Sequence, residues 1–278
     1  MLAFPKPPAR GIYVPVPTFF KEDLPTIDFD TQVEHAKFLQ ANGITGLILL
    51  VHKEVPQLCL IGGIDQNCLQ DTLEEITSLK AAGAEYALVL PSSYFGATIK
   101  QQGIIDWYTG VAENSVLPLI IYVYPGVTNN IVIEPRTIKI SHGDVSHHAL
   151  VGLDKDTSSN NFASFTGLGQ ILLPALVVGS QGTVDALAAA FPRIYIKLSE
   201  AYDKGDLKAA GEFQLVISRA EEIVVKFGVI GIKKAIKMGT GFGKTHLRRA
   251  PLNQDLDEKQ WLSYLDYSEG IVFANSGV

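Results

Sequence analysis

Short apolar runs alternate with amphipathic segments along almost the whole chain. The runs are GIYVPVP (11–17), GLILLV (46–51), LCLIGG (58–63), YALVLP (86–91), LPLIIYVYP (117–125), ALVGLD (149–154), FASFTG (162–167) and GTVDAL (182–187). Most are continuously apolar instead of alternating, as parallel strands covered on both faces must be. Between them, helical periodicity predicts a helix over 29–43, opening after Asp28 and stopped by Asn42-Gly43. A second is predicted over 67–84, from Asn67 to Gly83, and segments 100–115 and 133–143 continue the alternation. Segment 168–179 is apolar all round and should be buried, with Pro174 a candidate kink. Eight strands alternating with helices predict a TIM (β/α)8 barrel over 1–190, followed by a C-terminal helical extension over 191–278 packed on it. An open doubly wound sheet competes, but no Gly-rich phosphate turn follows the first run.

Two joins break the alternation. HKEVPQ (52–57) and KDTSSNN (155–161) are too short for a crossover, which needs about ten to twelve residues with its helix. Six residues reach at most about 20 Å. Strands left bare would expose large apolar side chains at ~1.5–3 kcal/mol each. The joins therefore predict that segments separated in the full protein are run together here, near Val51-His52 and within 154–161.

The 278 residues are 47% hydrophobic and 19% charged, enough for one large domain or two small ones. A net charge of −6 without a basic block argues against nucleic-acid binding. Cys59 and Cys68 have no metal or disulfide spacing, which suggests a reducing compartment, and Cys59 reads as a small core residue. No apolar run is long enough for a membrane span, and MLAFPKPPARG lacks the apolar segment of a secretory signal. A soluble cytoplasmic protein is expected. GTGFGKT (239–245) is one residue from a phosphate loop, since Met238 stands where Gly is required; it reads as a helix end and loop. His142, His147 and His148 read as solvated.

In such a barrel, chemistry sits at the C-terminal ends of the strands. Tyr122 lies near the end of the fifth run and Lys155 just past the sixth, so the two would share one cavity. A Lys among apolar walls is disfavoured as ammonium and becomes nucleophilic toward carbonyls. A nearby phenol can move the protons of imine formation. The plain alternative is a solvated Lys and a core Tyr; the position at the barrel's C-terminal face is what singles the pair out.

Those two segments resemble motifs of the dihydrodipicolinate synthase and N-acetylneuraminate lyase superfamily of class I aldolases. IIYVYPGVT is similar to its Y-N-x-P-G-x-T segment, and LVGLDKDTSS to its V-G-x-K-D-[ST]-S strand. PVPTFF (15–20), GAEYALVLPSSYF (83–95), GSQGTVDALA (179–188) and IKKAIKMGTGFGKTHLRRAPL (232–252) match further family segments in the same order. The resemblance implies Lys155 as the residue forming a Schiff base with a 2-oxo acid. It implies Tyr122 as proton relay and Tyr94 as a hydroxyl lent across a subunit interface. Val184 would line the pyruvate pocket, and Thr18 would be a substrate-binding residue. Val123 replaces a family Asn, and Asp154 adds a residue before the Lys. The family's G-T-T-G-E carboxylate-binding loop, which follows its second strand, has no counterpart in VHKEVPQ.

The resemblance implies a lyase needing neither metal nor organic cofactor, acting on a small 2-oxo acid such as 4-hydroxy-2-oxoglutarate or a 2-oxo-3-deoxy sugar acid. It also implies a homo-oligomer, dimer or tetramer, with no nucleic-acid or membrane partner. Dihydrodipicolinate synthase itself is the alternative enzyme. Val127 stands where that synthase carries an Arg to clamp its second substrate, and an apolar side chain cannot replace a bidentate clamp. A non-catalytic oxo-acid-binding or scaffold barrel is the alternative of another class.

Overall fold

The computed structural model describes residues 6–23, 26–48, 55–96, 98–134, 163–264, 270–272 and 275. Six parallel strands form one curved sheet: β1 (Gly11–Pro15), β2 (Gly46–Ile48), β3 (Cys59–Ile64), β4 (Tyr86–Val89), β5 (Leu119–Ile121) and β6 (Gly182–Val184). Their order is β5-β4-β3-β2-β1-β6. The described part of the predicted run at 162–167 lies beside β6: Thr166 bridges Thr183 in parallel, and the Val184 N–H donates to the Thr166 carbonyl at 2.8 Å. The run at 149–154 lies outside the described residues. Seven of the eight predicted strands thus follow one another around a TIM barrel in chain order.

The described helices between these strands are α1 (Phe29–Ala41), α2 (Leu69–Ala81), α3 (Gln101–Asn114) and α4 (Leu172–Val177). Then come α5 (Pro192–Asp203), α6 (Leu207–Ala220), α7 (Glu222–Thr240) and α8 (Glu258–Ser263). α1 begins and ends at the expected signals: the Asp28 carboxylate accepts from the Thr31 N–H, and Asn42 closes the helix before Gly43 at φ +85°. α2 departs from expectation. Cys68 precedes it without a side-chain cap, because the Asn67 amide oxygen is taken by the Tyr94 N–H at 2.9 Å. Pro174 sits in the first turn of α4, where its missing N–H costs nothing and no kink follows. Residues 131–134 show no helix; the rest of the segment predicted over 133–143 lies outside the described residues, as do His142, His147 and His148. The Gly-rich stretch is a helix end, with Gly241 in the left-handed conformation after Thr240.

Apolar side chains separate into an inner and an outer layer. Tyr13, Ile61, Leu88, Tyr122, Phe165 and Val184 pack together within the barrel. Leu39, Leu47, Val55, Leu58 and Leu60 belong to the outer core between sheet and helices. Of the described residues around the first short join, Val55 and Leu58 are buried in this outer core. The Val51-His52 junction and residues 154–161 lie outside the described residues.

His35 of α1 is fully buried among Phe19, Phe38 and Phe242 and donates from Nε2 to the Ala189 carbonyl at 2.8 Å. Burial pulls its pKa down to about 4, so the folded chain holds a neutral ring where the unfolded chain would bind a proton. The stability from the neutral ring is present above about pH 6.5 and is lost as pH falls toward 4, a change on the order of 3 kcal/mol. Urea unfolding at pH 7 and pH 4.5 should show this loss, and His35→Leu should flatten that part of the profile.

Candidate active site

Tyr122 follows β5, and its backbone N–H donates to the Val89 carbonyl at 3.1 Å, which holds it in line with the strand. Strand alternation then sends successive side chains to opposite faces. Tyr122 joins the barrel interior, while Val123 is buried in the outer core between sheet and helices. The ring of Tyr122 borders a cavity of about 440 Å³ at the C-terminal mouth, together with Pro15, Ile48, Tyr124, Val184 and Asp185. Burial, and then neighbouring Tyr124, push its hydroxyl up to about 12. It is therefore a proton-bearing phenol at neutral pH.

The PGVT turn after Tyr122 is tightly built. The Thr128 hydroxyl donates to the Tyr124 carbonyl at 2.9 Å, and Asn129 and Asn130 take positive φ. The Asn129 side-chain amide reaches the Ser93 carbonyl at 3.3 Å, tying this turn to the single-turn helix Ser93–Phe95.

The expected site residues do not all meet. Tyr122 and Val184 share the mouth cavity. Thr18 does not line it; it borders a separate cavity beside α7. Tyr94 is on the surface, 79% exposed, with its ring edge-on to Phe95. Lys155 lies outside the described residues. Among the described residues, no group of three His, Cys, Asp or Glu side chains could hold a metal ion.

A buried acidic triad, unforeseen in the sequence, also reaches this cavity. Asp185 follows β6, Glu221 sits at the junction of α6 and α7, and Tyr195 lies in α5. Asp185 and Glu221 border the cavity and are almost wholly buried. The Tyr195 hydroxyl lies 2.9 Å from Asp185 Oδ1 and 2.6 Å from Glu221 Oε1. Gly169 leaves the room: a Cβ there would stand 2.7 Å from Asp185 Oδ2 and 2.8 Å from Glu221 Oε1. One phenolic proton cannot serve both acids, so a second must lie between them. Asp185 also accepts the Leu187 and Ala188 N–H groups, which favours placing the charge there. Burial first, then the Asp185 charge, hold Glu221 well above the usual carboxylate range. The available signal was an acid inside the apolar run GTVDAL.

The sign of this shift sets a pH dependence. A carboxyl raised on folding contributes stability that is complete below its unfolded value and is lost as pH rises. Glu221→Gln should remove that loss, because the amide can donate to Asp185 without ionising. Urea unfolding at pH 5 and 8.5 should show wild type weakening between the two and the variant changing less.

The model of the dihydrodipicolinate synthetase family matches residues 50–264, more than three quarters of the chain. The chain belongs to this family. Among curated members, a protein of Emericella nidulans named probable mitochondrial 4-hydroxy-2-oxoglutarate aldolase is 25% identical, over 86% of this chain and 88% of its own. An L-threo-3-deoxy-hexylosonate aldolase of Hypocrea jecorina is 28% identical, over 84% and 87%. The solved dihydrodipicolinate synthase of Thermotoga maritima shares the fold at a TM-score of 0.85 and 19% identity, over 95% and 99%. The Emericella alignment runs over 281 positions but uses 86% of these 278 residues, about 239. About 40 positions of this family member therefore have no counterpart within the aligned part of this chain.

Proposed function

We propose that this protein is a lyase, a Schiff-base aldolase that cleaves or forms a 2-oxo acid of the 4-hydroxy-2-oxoglutarate or 2-oxo-3-deoxy sugar acid type. The observation that carries the reading is the protonated Tyr122 phenol beside Val184 in the lining of a cavity at the mouth of a family barrel. Lys155 would attack the ketone carbon of the 2-oxo acid. The carbinolamine would lose its hydroxyl as water, with Tyr122 moving the protons. Cleavage of the C3–C4 bond would send its electron pair into the imine while the 4-hydroxyl gives up its proton. An aldehyde leaves, and protonation and hydrolysis of the enamine release the shorter 2-oxo acid. The names of the Emericella and Hypocrea proteins favour this substrate class.

Val127 supports the choice of aldolase over synthase. It sits in the PGVT turn, half exposed, and brings no charge to a second carboxylate. Aspartate semialdehyde should accordingly be a poor partner for pyruvate. A coupled condensation assay as efficient as the best aldol cleavage would overturn this. Tyr94 would act from a second copy of the chain, a role that its exposure beside Phe95 permits, within a dimer or tetramer. Cys59 and Cys68 are free thiols, which fits a reducing compartment, whether cytoplasm or mitochondrial matrix. No described helix is long and apolar enough to cross a membrane.

Borohydride with pyruvate is the direct test. A stable pyruvate-sized mass increase and loss of activity are expected. Saturable binding without a covalent adduct would instead make this a binding barrel.

A further inference from the structure

The cavity that Thr18 borders has a chemistry of its own. It holds about 190 Å³ and is walled by Phe20 and, beyond the break in α7 at Gly228, by Val229, Lys233, Arg248 and Arg249. By liquid volume it has room for about six waters, so its occupant would be small. None of its lining residues borders the barrel mouth.

Three cations line this space, and no carboxylate does among the described residues. Lys233 is 7% exposed; its ammonium donates to the Leu247 carbonyl at 3.3 Å and stands 4.6 Å from the centre of the Phe20 ring. The Arg249 guanidinium lies 4.7 Å from the same ring. Arg248 is nine-tenths buried, and its Nε has no hydrogen-bond partner among the described residues. Its Nη2 donates to Asp255 at 3.2 Å, but that carboxylate is fully in solvent and compensates little. Buried like charges oppose one another: desolvation, and then Arg248, pull Lys233 down to about 8. An unpaired buried donor beside two further cations is costly to keep unless an anion answers it.

We infer that Lys233, Arg248 and Arg249, with Thr18 and Phe20, form a second site, for a small dicarboxylate with a short carbon chain. One carboxylate would lie toward the Arg248 Nε and the Lys233 ammonium, and the other toward Arg249. Val229, Ile230 and Leu252 would cover the carbon chain, which inorganic phosphate lacks.

The test is calorimetric titration of succinate and of inorganic phosphate at pH 7 and low salt, into wild type, Lys155→Ala, Arg249→Gln and Lys233→Met. Succinate should bind wild type and Lys155→Ala alike, which separates this site from the imine chemistry proposed for the mouth. Arg249→Gln, at a largely exposed position, should keep the fold and weaken succinate about tenfold or more, the scale of one charged hydrogen bond. Lys233→Met should weaken it further. Absence of succinate binding to wild type, or unchanged affinity in folded Arg249→Gln, would overturn the site. Phosphate binding as tightly as succinate would overturn the carboxylate assignment.

Discussion

Lys155→Ala is expected to abolish aldol cleavage, with turnover falling by at least ~10³-fold, because no other group would carry the covalent intermediate. The expectation comes from KDTSS just past the sixth apolar run, one unit after the run that carries Tyr122. It gains support from the described half of the pair: Tyr122 lies at the barrel mouth, protonated and lining the same cavity as Val184. Borohydride and pyruvate followed by peptide mass spectrometry should place the adduct on Lys155 and find none in the variant. An adduct on Lys233, the buried lysine of α7, would move the chemistry to the other cavity and defeat the assignment. Tyr122→Phe should keep the fold, since the ring remains, but slow imine formation by ~10²-fold or more through loss of proton transfer. Pre-steady-state trapping with borohydride would measure that step apart from product release.

Gly182→Ala should be the most damaging of the conservative changes in the barrel. Gly182 pairs with Gly11 where β6 joins β1, and it takes φ +148°, a value L side chains rarely adopt. A Cβ there would overlap the Gly11 carbonyl oxygen and stand 2.8 Å from its carbonyl carbon. Backbone cannot move aside as a flexible side chain can, and β1 and β6 both form part of the barrel wall. A loss on the order of 3 kcal/mol or more is expected, combining backbone strain with a clash in a close-packed interior. Chemical denaturation should show it as a lower midpoint, and Tyr122-side activity should fall with it because Val184 lies two residues on. An unchanged midpoint would mean that the β1–β6 seam is looser than its geometry.

The helices and strands were legible because their signals are local. Asp28 and Asn42-Gly43 mark α1 by satisfying or releasing backbone groups within a turn of themselves. The apolar runs mark strands because burial on both faces leaves no place for polar alternation. Asn67 shows the limit of that logic: its side chain reads as a helix cap, yet in the fold it serves the Tyr94 N–H, 27 residues away.

The candidate site divides in the same way. Tyr122 and Val184 could be named from sequence, since each follows from a strand end and a motif, and the fold does bring them to one cavity. Thr18 could be named but not placed; the course of the chain after β1 carries it to the cavity beside α7. Asp185, Tyr195 and Glu221 come from the end of a strand, a helix and a helix junction, and no spacing links them. They meet only because α5, α6 and α7 pack over the barrel, and their shared proton exists only because that packing excludes water. The same holds for Lys233, Arg248 and Phe20. By itself, then, the sequence determined the order of elements and the barrel they build, because backbone hydrogen bonding and periodic burial act over a few residues. Which charged groups face one another was decided by tertiary structure alone, since electrostatic energies depend on distance and solvent exclusion, and neither is written in the spacing of residues along the chain.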